Sequence, residues 1–231
     1  QQDAGIEHVP SNDFSFYDQV LDTTCMLGAV PSRFGLHGDR IDLDTYFAMA
    51  RGSDNARAME MTKWFDTNYH YIVPEFEDGQ TFRLASSKVV DEFIEAKDQG
   101  ILTRPVLLGP ISYLLLGKPK SPGLKPLSLL DQVLPIYAEI IDRLEAAGAR
   151  WIQVDEPTLA VDLDQEGPAT FEKAYEYIAR ARKNLQLCLT TYFGSLADNL
   201  DWAMKLAFDA MHLDLVRGPE QLPKAVGLLA E

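Results

Sequence analysis

The sequence predicts an α/β fold, a (β/α)8 TIM-barrel that is incomplete, with about six of its eight strands. Three observations carry that expectation. Short apolar runs without polar alternation recur along the chain, as expected of parallel strands buried on both faces. Helical stripes stand between several of them, so strand–helix–strand crossovers repeat. Polar or turn residues stand at the carboxyl end of each run, where the loops of a barrel converge on one mouth.

Taken in order, the first candidate strand is residues 6–9, followed by Asn12 and Asp13. The second is residues 69–73, followed by Pro74 and Glu75, and the third is residues 105–108, followed by Gly109-Pro110. A helix is then expected from Ser128 and Asp131, an S-x-x-D start that resembles a capping box with Asp in place of Glu or Gln. Leu130, Val133, Leu134, Tyr137, Ile141 and Leu144 give this helix one apolar stripe, and Gly148 supplies its stop. The fourth strand, residues 151–154, leads into Asp155-Glu156-Pro157. A helix over residues 164–182 precedes the fifth strand, residues 185–190, which runs into Thr191-Tyr192. A last helix over residues 198–207 precedes the sixth strand, residues 211–215, with Asp214 at its end.

Six polar strand ends suit a barrel better than a doubly wound sheet, which concentrates its site at one switch point. Residues 1–5 read as the end of a helix and residues 226–231 as another helix end. The expectation is therefore one truncated unit over residues 1–231, short of the full barrel by roughly one β/α unit at each end. No linker or change of composition divides the chain.

A formal net charge of −14 argues against a partner such as nucleic acid or an anionic membrane. An anionic ligand would need a few locally placed cations. Cys25 and Cys188 lie far apart, which gives no disulfide framework or metal cage and suits a reducing cytosol, hence a cytoplasmic protein. No apolar run approaches the roughly twenty residues that span a bilayer. No glycine-rich phosphate loop of either common type is present.

The most informative stretch runs from Met61 to Phe76, with Trp64, Phe65, Tyr69, Tyr71 and Phe76 gathered around a single cation, Lys63. A solvated helix would not spend so many aromatics without something apolar to pack. Together with other segments it also carries a resemblance. Val9-Pro-Ser-Asn-Asp-Phe14, Met61-Thr-Lys-Trp-Phe65, Asn68-Tyr-His-Tyr71 and Val73-Pro-Glu-Phe76 are followed by Pro105-Val-Leu-Leu-Gly-Pro110, Gln153-Val-Asp-Glu-Pro157, Leu189-Thr-Thr-Tyr-Phe193 and His212-Leu-Asp-Leu-Val216. In this order and spacing the chain resembles the amino-terminal domain of the cobalamin-independent methionine synthases, over essentially its whole length.

The resemblance implies a methyltransferase that moves a methyl group from 5-methyltetrahydropteroyl-polyglutamate to homocysteine. Two barrels face each other in that family. The zinc cofactor, the homocysteine pocket and the catalytic histidine belong to the carboxy-terminal barrel, so no catalytic residue and no metal ligand is expected in this chain, and no cobalamin is used. Lys63 is similar to the lysine that contacts the polyglutamyl folate, and Asn68 is a lesser candidate contact. The fragment alone would be inactive.

A lysine suits a polyanionic tail because it is a mobile point charge, although by composition alone it would read as a solvated surface residue. Trp64 and Phe65 read as packing beneath the loop, with pterin stacking as the alternative. His8, His70 and His212 read as satisfied strand histidines, and His37 as a turn residue. Asp155 and Glu156 could serve as an acid–base pair in some barrel enzyme. They read rather as structural carboxylates paired inside the barrel, and Asp13 and Glu75 are judged alike. The alternatives are a stand-alone folate or small-anion binding barrel, and an unrelated barrel hydrolase or decarboxylase using Asp155, Glu156 and Glu75.

Overall fold

Five parallel strands carry the molecule: β1 (Pro10–Ser11), β5 (Arg104–Leu108), β7 (Trp151–Asp155), β8 (Gln186–Thr190) and β9 (Ala210–His212), hydrogen-bonded in that order. The computed structural model describes residues 1–35 and 40–229. Helices α1 (Gln19–Met26), α2 (Leu43–Arg51) and α3 (Lys88–Asp98) lie between β1 and β5 in sequence. The short helix α4 (Pro110–Leu116) and the long α5 (Leu130–Ala147) lie between β5 and β7, α6 (Gly167–Ala181) follows β7, and α7 (Leu200–Ala203) precedes β9. Helix α8 (Gln221–Leu229) comes last. Among the described residues the sheet stays open, with β1 and β9 at its edges, so the barrel is incomplete.

The central strands form where the apolar runs predict. Val106, Leu107, Leu108, Ile152, Val154, Leu187 and Leu189 are all buried. Helix α5 realises its stripe: Leu130, Val133, Leu134, Tyr137, Ile141 and Leu144 are buried, joined by Ile136 and Ile140. Each such side chain is worth about 1.5–3 kcal/mol on burial. The Tyr137 hydroxyl donates to the Leu108 carbonyl at 2.5 Å, tying α5 to the carboxyl end of β5. Gly148 ends the helix with a left-handed φ of 95°, which lets its N–H reach the Glu145 carbonyl.

Several expectations need correction. The run at residues 69–73 does not join the parallel sheet. Its core, β3 (His70–Ile72), pairs antiparallel with β2 (Met61–Lys63) as a separate hairpin. Two further short strands, β4 (Glu75–Phe76) and β6 (Lys118–Pro119), pair with each other. The first strand begins at Pro10 rather than at residue 6, although the Val9 carbonyl accepts from the Arg104 N–H at 2.7 Å. The last strand is Ala210–His212, shorter and one residue earlier than expected.

Ser128 caps nothing. It lies in a 3-10 turn, Pro126–Leu129, and its hydroxyl donates to the Lys125 carbonyl. Asp164 lies outside α6, where its side chain accepts from the N–H groups of Glu166 and Gly167. The helix expected over residues 198–207 shrinks to a 3-10 turn and α7.

Candidate functional site

The β2–β3 hairpin is set by its register and its turn. Met61 faces Ile72, Thr62 faces Tyr71, and Lys63 faces His70. The turn closes through the Trp64 N–H to the Tyr69 carbonyl at 2.7 Å and the Thr67 hydroxyl to the Trp64 carbonyl at 2.7 Å. Phe65 takes a left-handed φ of 51° to complete it. Trp64 is 2% exposed, ringed by Phe65, Tyr69, Tyr71 and Tyr192 at centroid distances of 5.3, 6.3, 5.4 and 6.4 Å. Trp64 therefore packs as core, with no open face on which a pterin could stack.

Lys63, the last residue of β2, is exposed and makes no ion pair among the described residues. Asn68 is exposed in the turn, and its carbonyl accepts from His70 Nδ1 at 2.9 Å. The two residues share one hairpin.

The hairpin is held at both ends. Near its base stands Asp18, the N-cap of α1, which is completely buried. One Asp18 oxygen accepts from the Leu21 N–H and the other from the Ile72 N–H, each at 2.8 Å. One carboxylate thus ties α1 to β3. Burial pushes its pKa up to about 7, against the lowering pull of those N–H donors. At the tip, Trp64 and Phe65 lean on Tyr192 and Phe193, the residues that follow β8 at the mouth of the sheet.

The buried carboxylates beneath the mouth are separately held rather than paired, which corrects the sequence reading. Asp155 accepts from Gln153 Nε2 at 2.7 Å and the Tyr192 hydroxyl at 3.2 Å. Glu156 accepts from the N–H groups of Ser112 and Ile111 and from the Tyr175 hydroxyl. Burial pushes both up to about 7. Asp13 is also raised by burial, against the nearby Arg104 guanidinium. Glu75 forms a forked ion pair with Arg33 at 2.6 and 2.9 Å.

Asp155, Glu156 and Glu75 each have fixed donors or an opposed cation, whereas Asp13 is exposed. Asp214 shows the opposite electrostatics. The Arg217 N–H, with those of Val216 and Phe193, holds it below the usual carboxylate range.

His212 Nδ1 lies 2.9 Å from the Thr191 carbonyl, and His8 packs edge-on against Trp151. His37 lies outside the described residues. Cys25 and Cys188 are free and buried. No three His, Cys, Asp or Glu side chains converge among the described residues, so the donor set for a zinc ion does not assemble there.

Sequence reasoning missed two partnerships. Asp18 had a legible signal, an Asp immediately before a helix. The pair Asp66 and Arg217, in contact across 151 residues, had none.

Comparison with known proteins identifies the family. The family model described as "Cobalamin-independent synthase, N-terminal domain" matches residues 1–229. A Salinibacter ruber protein named 5-methyltetrahydropteroyltriglutamate–homocysteine methyltransferase is 54% identical over 98% of this chain, which covers 30% of that protein. A Rhodopseudomonas palustris protein of the same name is 52% identical over 96% of the chain, which covers 31% of it. The chain thus spans less than a third of these relatives' length. In fold it is similar to a methyltransferase from Methanosarcina mazei, with a TM-score of 0.60 and 12% identity over 97% of this chain and 63% of that one.

Proposed function

The chain belongs to the family of cobalamin-independent synthase N-terminal domains, and from that membership we propose that it forms the folate side of a methionine-forming methyltransferase. The proposed reaction moves a methyl group from 5-methyltetrahydropteroyl-polyglutamate to homocysteine. Residues 1–231 act as one unit that binds and orients the folate, with a carboxy-terminal barrel of the same polypeptide as its partner. Homocysteine, the zinc ion and the methyl-transfer chemistry belong to that barrel. The described residues of this chain bring no zinc donor set together. Two free, buried cysteines suit a reducing cytoplasm.

The observation that carries the reading is Lys63, a solvent-facing lysine with no ion pair among the described residues, on a hairpin otherwise anchored by buried aromatics and by Asp18. In a chain of net charge −14, a polyanionic tail needs such a positioned cation. The ammonium group meets tail carboxylates without fixing their orientation, which suits a flexible oligomer of glutamates. Asn68, in the same turn, adds a neutral amide that can donate to the folate.

The test is Lys63→Ala in the complete gene product. A charge-assisted contact of this kind is worth about 1.5–3 kcal/mol, so KM for the triglutamyl substrate should rise roughly 10- to 100-fold. The rise should be much smaller for a monoglutamyl substrate, and the circular dichroism spectrum should not change. An unaltered triglutamyl KM overturns the role given to Lys63.

A further inference from the structure

We propose that Asp66 and Arg217 form a latch that positions Lys63 and sets the enzyme's preference for a polyanionic tail. The proposal rests on the folate-side reading of Lys63. Among the described residues β2 and β3 pair only with each other, so no ladder hydrogen bond there fixes the hairpin tip to the parallel sheet. Side chains do so instead.

Arg217 Nη1 donates to both Asp66 oxygens, at 2.7 and 2.8 Å. The same guanidinium lies 5.8 Å from the Phe193 ring centroid, and Nη1 is 3.4 Å from the Phe193 carbonyl. Phe193 in turn stands 6.0 Å from Phe65, next to Asp66 in the turn. Asp214 completes the cluster, accepting from the N–H of Phe193 at 2.9 Å and that of Arg217 at 3.0 Å. The loop after β8, the loop after β9 and the hairpin tip thus meet at one point.

Two of the residues there, Phe65 and Phe193, hold left-handed backbone at φ 51° and 70°. A bulky aromatic adopts that conformation only where its surroundings over-determine it.

The latch does two things for Lys63, three residues away. It fixes the turn that follows the lysine at the end of β2. It also neutralises Asp66, whose free carboxylate would otherwise compete for the ammonium group and repel a tail of like charge within a Debye length of about 8 Å. Arg217 is therefore a positioning residue with an electrostatic consequence.

The test uses the complete protein with triglutamyl and monoglutamyl methyl donors, beside Lys63→Ala as the reference. An exposed ion pair of this kind is worth a two- to fivefold change. Arg217→Ala should raise KM for the triglutamyl donor by about that factor, move the monoglutamyl KM less, and speed amide exchange across residues 61–72. Arg217→Lys should recover part of both effects, and the swap Asp66→Arg with Arg217→Asp should recover the exchange protection.

Parental exchange and parental triglutamyl KM in Arg217→Ala, with Lys63→Ala still impaired, overturn the latch and leave the folate-side reading standing. An unimpaired Lys63→Ala overturns both.

Discussion

Replacing Asp18 with Asn should remove a pH dependence from the hairpin that carries Lys63. Asp18 is fully buried, holds two backbone N–H groups, and has its pKa pushed up to about 7 by burial, from an ordinary 3.8. The stability it contributes is fully present below pH 3.8, where both folded and open forms carry the proton. As pH rises towards 7 the open form ionises freely while the folded form keeps its proton, so stability is lost at about 1.4 kcal/mol per pH unit. Integrated from pH 5 to pH 8, the loss is about 3 kcal/mol, or roughly 100-fold in the opening constant.

Asparagine cannot titrate, and its single carbonyl oxygen keeps only one of the two N–H partners. The variant should therefore open more readily by about 1–3 kcal/mol at pH 5 yet show no such slope, so the two proteins converge near pH 8. Asp155 and Glu156 are raised in the same way, but their contribution is common to both proteins and cancels in the difference. The assay is amide exchange at Ile72 in the complete protein, corrected for the intrinsic pH dependence of exchange. Equal slopes in the two proteins between pH 5 and 8 would refute the reasoning.

Two other substitutions probe the scaffold. Gly109→Ala should lower the melting temperature, because a Cβ there would meet Glu156 Cδ and Oε1 at 2.1 Å while the backbone, at φ −67°, is one that alanine adopts freely. The cost is about 1–3 kcal/mol, and adding Glu156→Ala should give a double variant less unstable than the sum of the two singles. Arg33→Ala should lower the denaturant midpoint by the equivalent of about 2 kcal/mol, since it removes the forked partner of the buried Glu75 and leaves Lys120 at 3.6 Å as the nearby cation among the described ion pairs. Arg33→Lys should recover only part, because an ammonium group cannot fork across both oxygens; an undiminished midpoint in Arg33→Ala contradicts the role given to that pair.

What the sequence made legible follows from locality. The α5 stripe repeats at helical spacing and needs no knowledge of the partner, so every residue chosen for it is buried. The central strands were legible because burial on both faces leaves uninterrupted apolar runs. The same rule misassigned residues 69–73. Tyr71, Ile72 and Val73 are as buried as any sheet strand, but Trp64 and α1 contribute to that burial, and the strand's ladder partner is Met61–Lys63.

Periodicity reports burial and is silent about which strand is the neighbour. Ser128 failed for a related reason. The S-x-x-D pattern was right in letters, but Pro126 starts a 3-10 turn that places the serine one residue too early to cap α5. At the site, Lys63 and Asn68 came from a resemblance over contiguous motifs. The latch at Asp66 and Arg217 depends on where two loops meet in space, and no local pattern encodes it.

The proposal that this chain is the folate-binding side of a cobalamin-independent methyltransferase is tested most directly by methyl transfer itself. The complete gene product, supplied with zinc and no cobalamin, would be given 5-methyltetrahydropteroyltriglutamate carrying a labelled methyl group, together with homocysteine. The account predicts labelled methionine in amounts that grow with enzyme and with time. A folded, zinc-loaded protein that leaves the label on the folate would contradict it.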